Sequence, residues 1–348
     1  MLKRLLRISA LLMLLALVAA GAAWYWLQSA LEENGPAREP VELEVKQGSS
    51  LRAVAGTLAD AGVIEHDWLM YYWGRYKSYD RGIKAGEYRF EPGMVLEDVF
   101  ALLRSGSNVQ YLFTIVEGWR TSEMLAALAL HDRIEHTLSA QSAVELAQEL
   151  DFPEANAEGL FLPETYSYRR GETDRSLLVR ANQALRLVLD QRWENRAPDL
   201  PLKTPYEALI LASLIEKETG VVEERERIAG VFTTRLKKGM RLQTDPTVIY
   251  GIGETYDGNI TRKHLQTMSP YNTYLIRGLP PTPIALPGAA AISAATQPDE
   301  TGELFFVARG DGSHKFSKTY AEHNKAVKEF QLQRRDDYRS APAPRVEN

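Results

Sequence analysis

Two glutamates, Glu216 and Glu218, close an apolar segment from Pro205 to Gly220, PYEALILASLIEKETG. Leu209, Ile210, Leu211, Leu214 and Ile215 predict a largely buried helix, and Gly220 is placed to end it as the residue just past the C-terminus. Helical spacing separates the two acids. Glu218 stands three residues after Ile215, four after Leu214 and seven after Leu211, so it continues the apolar stripe, whereas Glu216 follows Ala212 and Ser213. Glu218 is therefore predicted to point inward. Burial disfavours its anion, and the last helical turn adds the negative end of the helix dipole. Both raise its pKa toward the range in which a carboxyl serves as a general acid near neutrality. The residues alone leave another role open: a helix-end glutamate that is solvated, or paired with Arg225 or Arg227 in the next segment.

Other chemistries lack their residues. The chain has no G-x-S-x-G, S-x-x-K or H-E-x-x-H pattern and no glycine-rich phosphate loop, and its six histidines show no metal-ligand spacing, so neither a cofactor nor a metal is expected. The absence of cysteine excludes a thiol nucleophile and cysteine-based zinc sites. With a formal charge of -5 and 41 Lys and Arg scattered rather than clustered, a nucleic-acid-binding groove is not expected either.

Carboxylate chemistry remains, and polar loops follow the two glutamates. The stretch from Arg241 to Gly251, RLQTDPTVIYG, gathers short hydrogen-bonding groups between a helix ending at Gly239 and an apolar run that reads as a strand. Next come Ser269-Pro270-Tyr271-Asn272-Thr273-Tyr274 and Gly278-Leu279-Pro280-Pro281, both fixed by proline. Upstream, Gly159 to Tyr166, GLFLPETY, places aromatics, a proline and Glu164 in a loop. Rings that stack on sugar faces and amides that bond hydroxyls suit a carbohydrate cleft. A hairpin is predicted from Phe305-Phe306-Val307 through Gly310-Asp311-Gly312 to His314 and Phe316, then a closing helix with His323 and Asn324.

The elements that must carry these loops predict an α+β chain of two or three modest domains in 348 residues, 45% hydrophobic and 25% charged. Lys3, Arg4 and Arg7 mark a tip of residues 1–7, and the apolar run Ile8 to Leu27 is 20 residues, enough to span a bilayer of about 30 Å. Small residues at 19–23 also fit a cleaved signal peptide, but Trp24, Tyr25 and Trp26 prolong the run as an interfacial belt and favour a retained anchor. The basic flank orients the remainder outward. Residues 28–40 read as a polar linker. From Val41 a unit of strand, glycine turn and amphipathic helix appears three times, at Val41 to Leu58, Glu87 to Leu103 and Leu112 to Leu128. Residues 41–106, with a second helix from Val63 to about Tyr76, have the order strand, helix, helix, strand and resemble a LysM-like module. Residues 107–333 form the remaining mixed domain, and 334–348, rich in Ala, Pro and charge, are expected to be a disordered, dispensable tail.

LIEKETG, RLQTDPTVIYG, SPYNTY, GLPPTPI, GLFLPETY and FFVARGDGSHKFSKTYAEHNKAV together resemble the MltG-type (YceG-like) endolytic murein transglycosylase family, from the N-terminal run to about Phe330. The resemblance implies a single-pass protein of the cytoplasmic (inner) membrane whose periplasmic domain cleaves the MurNAc to GlcNAc β-1,4 bond inside nascent peptidoglycan strands. It implies 1,6-anhydro-MurNAc ends, a role in ending glycan elongation, and peptidoglycan synthases as partners. The second glutamate of the E-K-E motif, Glu218 here, is the implied acid and base. On that mechanism Gln243, Thr244, Asp245, Tyr271 and Asn272 are candidates to orient sugar, with Glu164 across the cleft, although each also reads as a loop cap or turn residue. Two other readings stand: a hydrolase pairing Glu218 with Asp245 or Glu164, and a non-enzymatic glycan-binding scaffold.

Overall fold

The first helix outruns the hydrophobic stretch that defines it. In the computed structural model, which describes residues 2–332, α1 (Leu2–Leu31) continues four residues past Leu27. Its segment Leu6–Leu31 has a mean hydropathy of 2.1 and is long and apolar enough to cross a membrane. The linker expected from Gln28 is therefore partly helix, because Leu27, Ala30 and Leu31 find apolar partners in the domain that follows. The tail at 334–348 lies outside the described residues.

The chain forms two compact units, residues 1–111 and 112–348, so the boundary falls five residues beyond the expected one at 106. In the first, β1 (Val41–Val45) leads to α2 (Leu51–Asp60), whose N-terminus is capped by the Ser50 side chain accepting from the Ala53 N–H. Then come α3 (Asp67–Tyr76), β2 (Gly86–Phe90) and α4 (Leu96–Ser105). The expected strand, helix, helix, strand order is present, with β1 and β2 antiparallel and Val41 opposite Phe90. The second helix begins at Asp67 rather than Val63: Val63 and Ile64 are buried in the turn before it, and the Asp67 carboxylate accepts from the Trp68 N–H. Phe100 packs so close to α3 that a Cβ on Gly74 would sit 2.7 Å from its ring, so glycine permits the approach.

The second unit starts within β3 (Tyr111–Thr114), which pairs with β4 (Thr165–Tyr168); between them lie α5 (Thr121–Leu128) and α6 (Ala143–Glu149). After α7 (Asp174–Glu194) comes α8 (Pro205–Glu218), started by Pro205 and by the Thr204 side chain, which accepts from Glu207 N–H. Residues 208–215 of α8 are buried without interruption, as befits a helix apolar all round its axis. α7, α9 (Arg225–Lys237), α10 (Asp245–Ile252) and α12 (Ala289–Thr296) surround it, α12 closely because its contact residues are mostly alanine; the short α11 (Arg262–Gln266) precedes α12 in the chain. β5 (Phe305–Ala308) and β6 (His314–Ser317) form the expected hairpin, followed by α13 (Tyr320–Val327). The apolar run after Thr244 is α10, not a strand. Thr-Asp-Pro is a helix start, with Thr244 as the N-cap and proline within the first turn, and this local signal outweighs the β-branched residues behind it.

Candidate active site

α8 stops at Glu218, and it does so without the left-handed glycine expected at Gly220. Thr219 is extended (φ -145°, ψ 135°), with its N–H on the Ile215 carbonyl, and its hydroxyl accepts from the Val221 N–H. Glu218 is thereby the last helical residue, held where the helix dipole is negative.

It faces a cleft of about 1010 Å³ lined by the end of α8, residues 243–246, Tyr274, the β5–β6 hairpin and α13. Burial pushes its carboxyl up to about 7; the negative charge of Asp245 adds to the rise, while the Thr244 hydroxyl and Arg235 oppose it. The Thr244 hydroxyl donates to Glu218 Oε1. Thr244 is the N-cap of α10, yet its side chain makes no capping bond and serves the carboxyl instead. Its backbone is held independently: the Thr244 N–H donates to Thr273 Oγ1 at 3.1 Å, and its carbonyl accepts from Thr247 Oγ1 at 2.8 Å. Just before it, Gln243 stands at φ 52°, in the left-handed region that a non-glycine residue occupies at a cost in strain.

Arg235, buried in α9, donates through Nε to the Leu304 carbonyl at 2.7 Å and through Nη1 to the Leu242 carbonyl, tying α9 to the chain before β5 and to the turn that carries Thr244. Its guanidinium is the cation that faces Glu218. Tyr274 donates to Asp245 Oδ1 at 2.6 Å, and burial followed by that bond raises its phenol far above the ordinary range. On the hairpin side the Phe305 ring stacks on His323 at 5.0 Å, with Tyr320 5.9 Å away, so an aromatic wall lines the cleft. The buried Nδ1 of His323 has no hydrogen-bond partner among the described residues.

The neighbouring acid is enclosed differently. The Glu216 side chain is only 5% exposed; it accepts from Arg225 Nη2 at 3.0 Å and from the Gly288 N–H at the start of α12, also at 3.0 Å. Spacing along the stripe thus understated its burial, because α12 and Arg225 close over the face that α8 alone leaves open. Arg225 binds Glu216 and Glu117, Arg227 binds Glu303, and neither arginine pairs with Glu218.

The structure brings Gln243, Thr244 and Asp245 to the cleft beside Glu218 and places three other candidates elsewhere. Glu164 is exposed beside β4 and does not line the cleft; its carbonyl accepts from Ile115 N–H as β3 and β4 pair. Asn272 is 1% exposed and spent on tying its loop to α11, donating to the carbonyls of His264, Leu265 and Thr267 and accepting from Tyr274 N–H. Tyr271 packs on Tyr250 at 4.8 Å and bonds Thr282, outside the cleft lining. A proline-fixed loop uses its amide and first tyrosine to hold its own shape, and it is Tyr274 that reaches the cleft. Tyr274 and Arg235 have no local signal for a place in the site: Tyr274 enters through its bond to Asp245 and Arg235 through its bonds to the Leu304 and Leu242 carbonyls, contacts that spacing in the chain does not reveal.

A further buried acid, Glu158, lies outside the cleft lining. It accepts from Thr121 N–H (2.9 Å), Thr121 Oγ1 (3.1 Å) and the Tyr250 hydroxyl (3.1 Å), linking the start of α5 to α10, and burial raises its pKa. Among the described residues no group of three His, Cys, Asp or Glu could hold a metal ion.

A helix-rich α+β unit thus sets a carboxyl raised to about 7 at the wall of a cleft lined by polar and aromatic side chains. The chain matches the YceG-like family over residues 43–329 and belongs to it. It is 32% identical over 336 residues to the endolytic murein transglycosylase of Bacillus subtilis (strain 168), covering 89% of this chain and 90% of that protein. It is also 28% identical to the endolytic murein transglycosylase of Streptococcus pneumoniae serotype 2 (strain D39 / NCTC 7466), covering 91% of this chain and 64% of that longer protein. A crystal structure of a yceG-like protein from Listeria monocytogenes superposes with a TM-score of 0.52 at 27% identity, covering 83% of this chain and 99% of that one.

Proposed function

We propose that this protein is an endolytic murein transglycosylase that cleaves the MurNAc to GlcNAc β-1,4 bond with Glu218 as both acid and base. The observation that carries the reading is the Glu218 carboxyl itself, pushed up to about 7 at the wall of the 1010 Å³ cleft. Near neutrality such a group is present in both forms, as a single residue acting in two steps requires. Protonated Glu218 donates to the glycosidic oxygen as C1 gains oxocarbenium character. The carboxylate left behind then takes the proton of the MurNAc C6 hydroxyl, whose oxygen bonds to C1 and closes the 1,6-anhydro ring. No water is consumed. The Thr244 hydroxyl and the Arg235 cation favour the carboxylate formed in the first step, and burial favours the acid restored in the second. Phe305 and Tyr320 supply stacking faces for sugar rings, and exposed Gln243 and Asp245 supply hydrogen-bonding groups.

The apolar run of α1, with Lys3, Arg4 and Arg7 at its N-terminal end, is read as an inner-membrane anchor that leaves the chain beyond it on the periplasmic side, where peptidoglycan synthases supply the nascent strands. Cleavage within such strands ends their elongation.

Incubating the purified chain with uncrosslinked glycan strands and weighing the products tests the activity. Anhydro ends, lighter by one water than reducing ends, are expected from wild type and absent from Glu218→Gln. Reducing ends would replace this mechanism with a hydrolase pairing Glu218 and Asp245, and an inert wild-type protein would leave a glycan-binding scaffold.

A further inference from the structure

α3 carries a row of aromatic rings that the rest of the first unit leaves uncovered. Trp68, Tyr72 and Tyr76 recur every four residues on one face of the helix and are 44%, 62% and 78% exposed, while Leu69, Met70 and Gly74 turn the other face into the core. A protein surface seldom leaves a contiguous row of large rings in water without an occupant.

The row is continuous with the helix that enters the membrane. Trp26 of α1 stacks on Trp68 with ring centroids 5.7 Å apart and planes 8° from parallel. One turn further, Leu31 of α1 is buried in the core of the same unit, with Leu27 and Ala30 packed against it, so α1 and the unit are joined by packing rather than by a slack tether. Trp68 is thereby held level with Trp24, Tyr25 and Trp26, the exposed rings at the end of the apolar run. The far end of α3 is basic: Arg75, Lys77 and Arg81 are exposed there, with Asp80 3.7 Å from Arg75 as the nearby acid. Amphipathic rings at the boundary of a hydrocarbon core, with cations beside them, are the composition that favours the headgroup layer of a bilayer.

We propose that α3 lies on the membrane surface, its Trp68-Tyr72-Tyr76 face set among the headgroups of a bilayer containing anionic phospholipid. This makes a second membrane contact that fixes the first unit beside the spanning helix. The proposal rests on the reading of α1 as a membrane anchor. A contact of this kind removes the swivelling freedom that a single spanning helix allows, and holds the first unit at one height and one orientation above the bilayer.

The chain has no cysteine, so single labels can be placed at will. Full-length protein with a nitroxide at Tyr72→Cys, Tyr76→Cys, Trp24→Cys or Asp190→Cys is reconstituted in vesicles of phosphatidylethanolamine and phosphatidylglycerol. The accessibility of each label to oxygen and to a water-soluble nickel complex is then read by electron paramagnetic resonance. The expected result is a ratio of oxygen to nickel accessibility at positions 72 and 76 that rises to the value at 24, while the label at 190 stays aqueous. Aqueous ratios at 72 and 76 beside a lipid-facing 24 would overturn the docking and leave the anchor standing. Immobilisation of the 72 and 76 labels by added glycan strands, with no lipid contact, would make this face a sugar platform and overturn it too. An aqueous label at 24 as well would overturn the anchor reading together with the proposal.

Discussion

Glu216 and Glu218 stand on the same turn of α8, two residues apart; burial raises both carboxyls, and they differ in what opposes it. Around Glu216 the surroundings are complete: Arg225 supplies a cation, Gly288 supplies an N–H, and the side chain is sealed. Around Glu218 they are left incomplete. One hydroxyl reaches it, its opposite wall is open cleft, and burial outweighs its favourable partners so that the acid rises to about 7. The contrast teaches how one helix end provides both a structural ion pair and a proton-transfer group. Burial raises both carboxyls; at Glu216 a guanidinium and a backbone N–H work against it and the group ties elements together, whereas Glu218, with fewer partners, rises to about 7 and exchanges its proton near neutrality.

The sharpest test of that contrast is on activity. Glu218→Gln keeps size and shape but cannot transfer a proton, and strand cleavage is expected to fall on the order of 10² to 10⁴-fold or more, with the fold intact by thermal melt. Glu216→Gln is expected to keep most of the cleavage that folded protein supports. A dead Glu216 variant beside an active Glu218 variant would reverse the assignment.

Stability should divide the pair the other way. Arg225→Met strips Glu216 of its ion-pair partner in a closed site, and a loss of about 3–5 kcal/mol by denaturant titration is expected, since the buried carboxyl is left with the Gly288 N–H and the more distant charge of Lys217. Restoring much of that loss in the Arg225→Met, Glu216→Gln double variant would show that the unpaired charge, not lost packing, is responsible. A loss below about 1 kcal/mol in the single variant would mean that the ion pair is not structural.

The pH dependence of folding gives a third measure. Because the folded state raises the Glu218 pKa from its ordinary 4.5 to about 7, folded protein binds this proton more tightly than unfolded protein does. The group is harmless below about pH 4.5, destabilises progressively as pH rises from there to about 7, and exerts its full penalty above. That penalty is about 3 kcal/mol. Glu218→Gln removes it, so the variant should melt above wild type at about pH 8 and converge with it at about pH 4.5. A melting difference independent of pH would show that the carboxyl is not desolvated.

The smallest expected effect belongs to Thr244. Its hydroxyl stabilises the Glu218 anion, so Thr244→Val should move the basic limb of the pH-rate profile upward by up to about one unit, roughly 1 kcal/mol, with little change in melting temperature. A downward shift would contradict the direction of that hydrogen bond.

Much of this was legible in the linear chain. The spacing along α8 singled out Glu218, the alternation at Val41 to Val45 and the apolar run Phe305 to Val307 ahead of the Gly310-Asp311-Gly312 turn matched the strands found there, and the hydrophobic N-terminal run matched α1. These are consequences of periodicity, which neighbouring residues set among themselves. What periodicity left open was decided by segments far apart in sequence. Nothing local to Glu216 says that Arg225 and the N-terminus of α12, seventy-two residues on, will close over it, or that Thr244 will give up its capping bond to reach Glu218. Asn272 and Glu164 have the chemistry of sugar ligands, yet one is consumed by three carbonyls in and just after α11 and the other is turned out beside β4. A side chain's type states which bonds it can make, but only packing settles which partners arrive and which faces stay open, because hydrogen bonds and desolvation depend on ångström-scale distances that sequence separation does not specify.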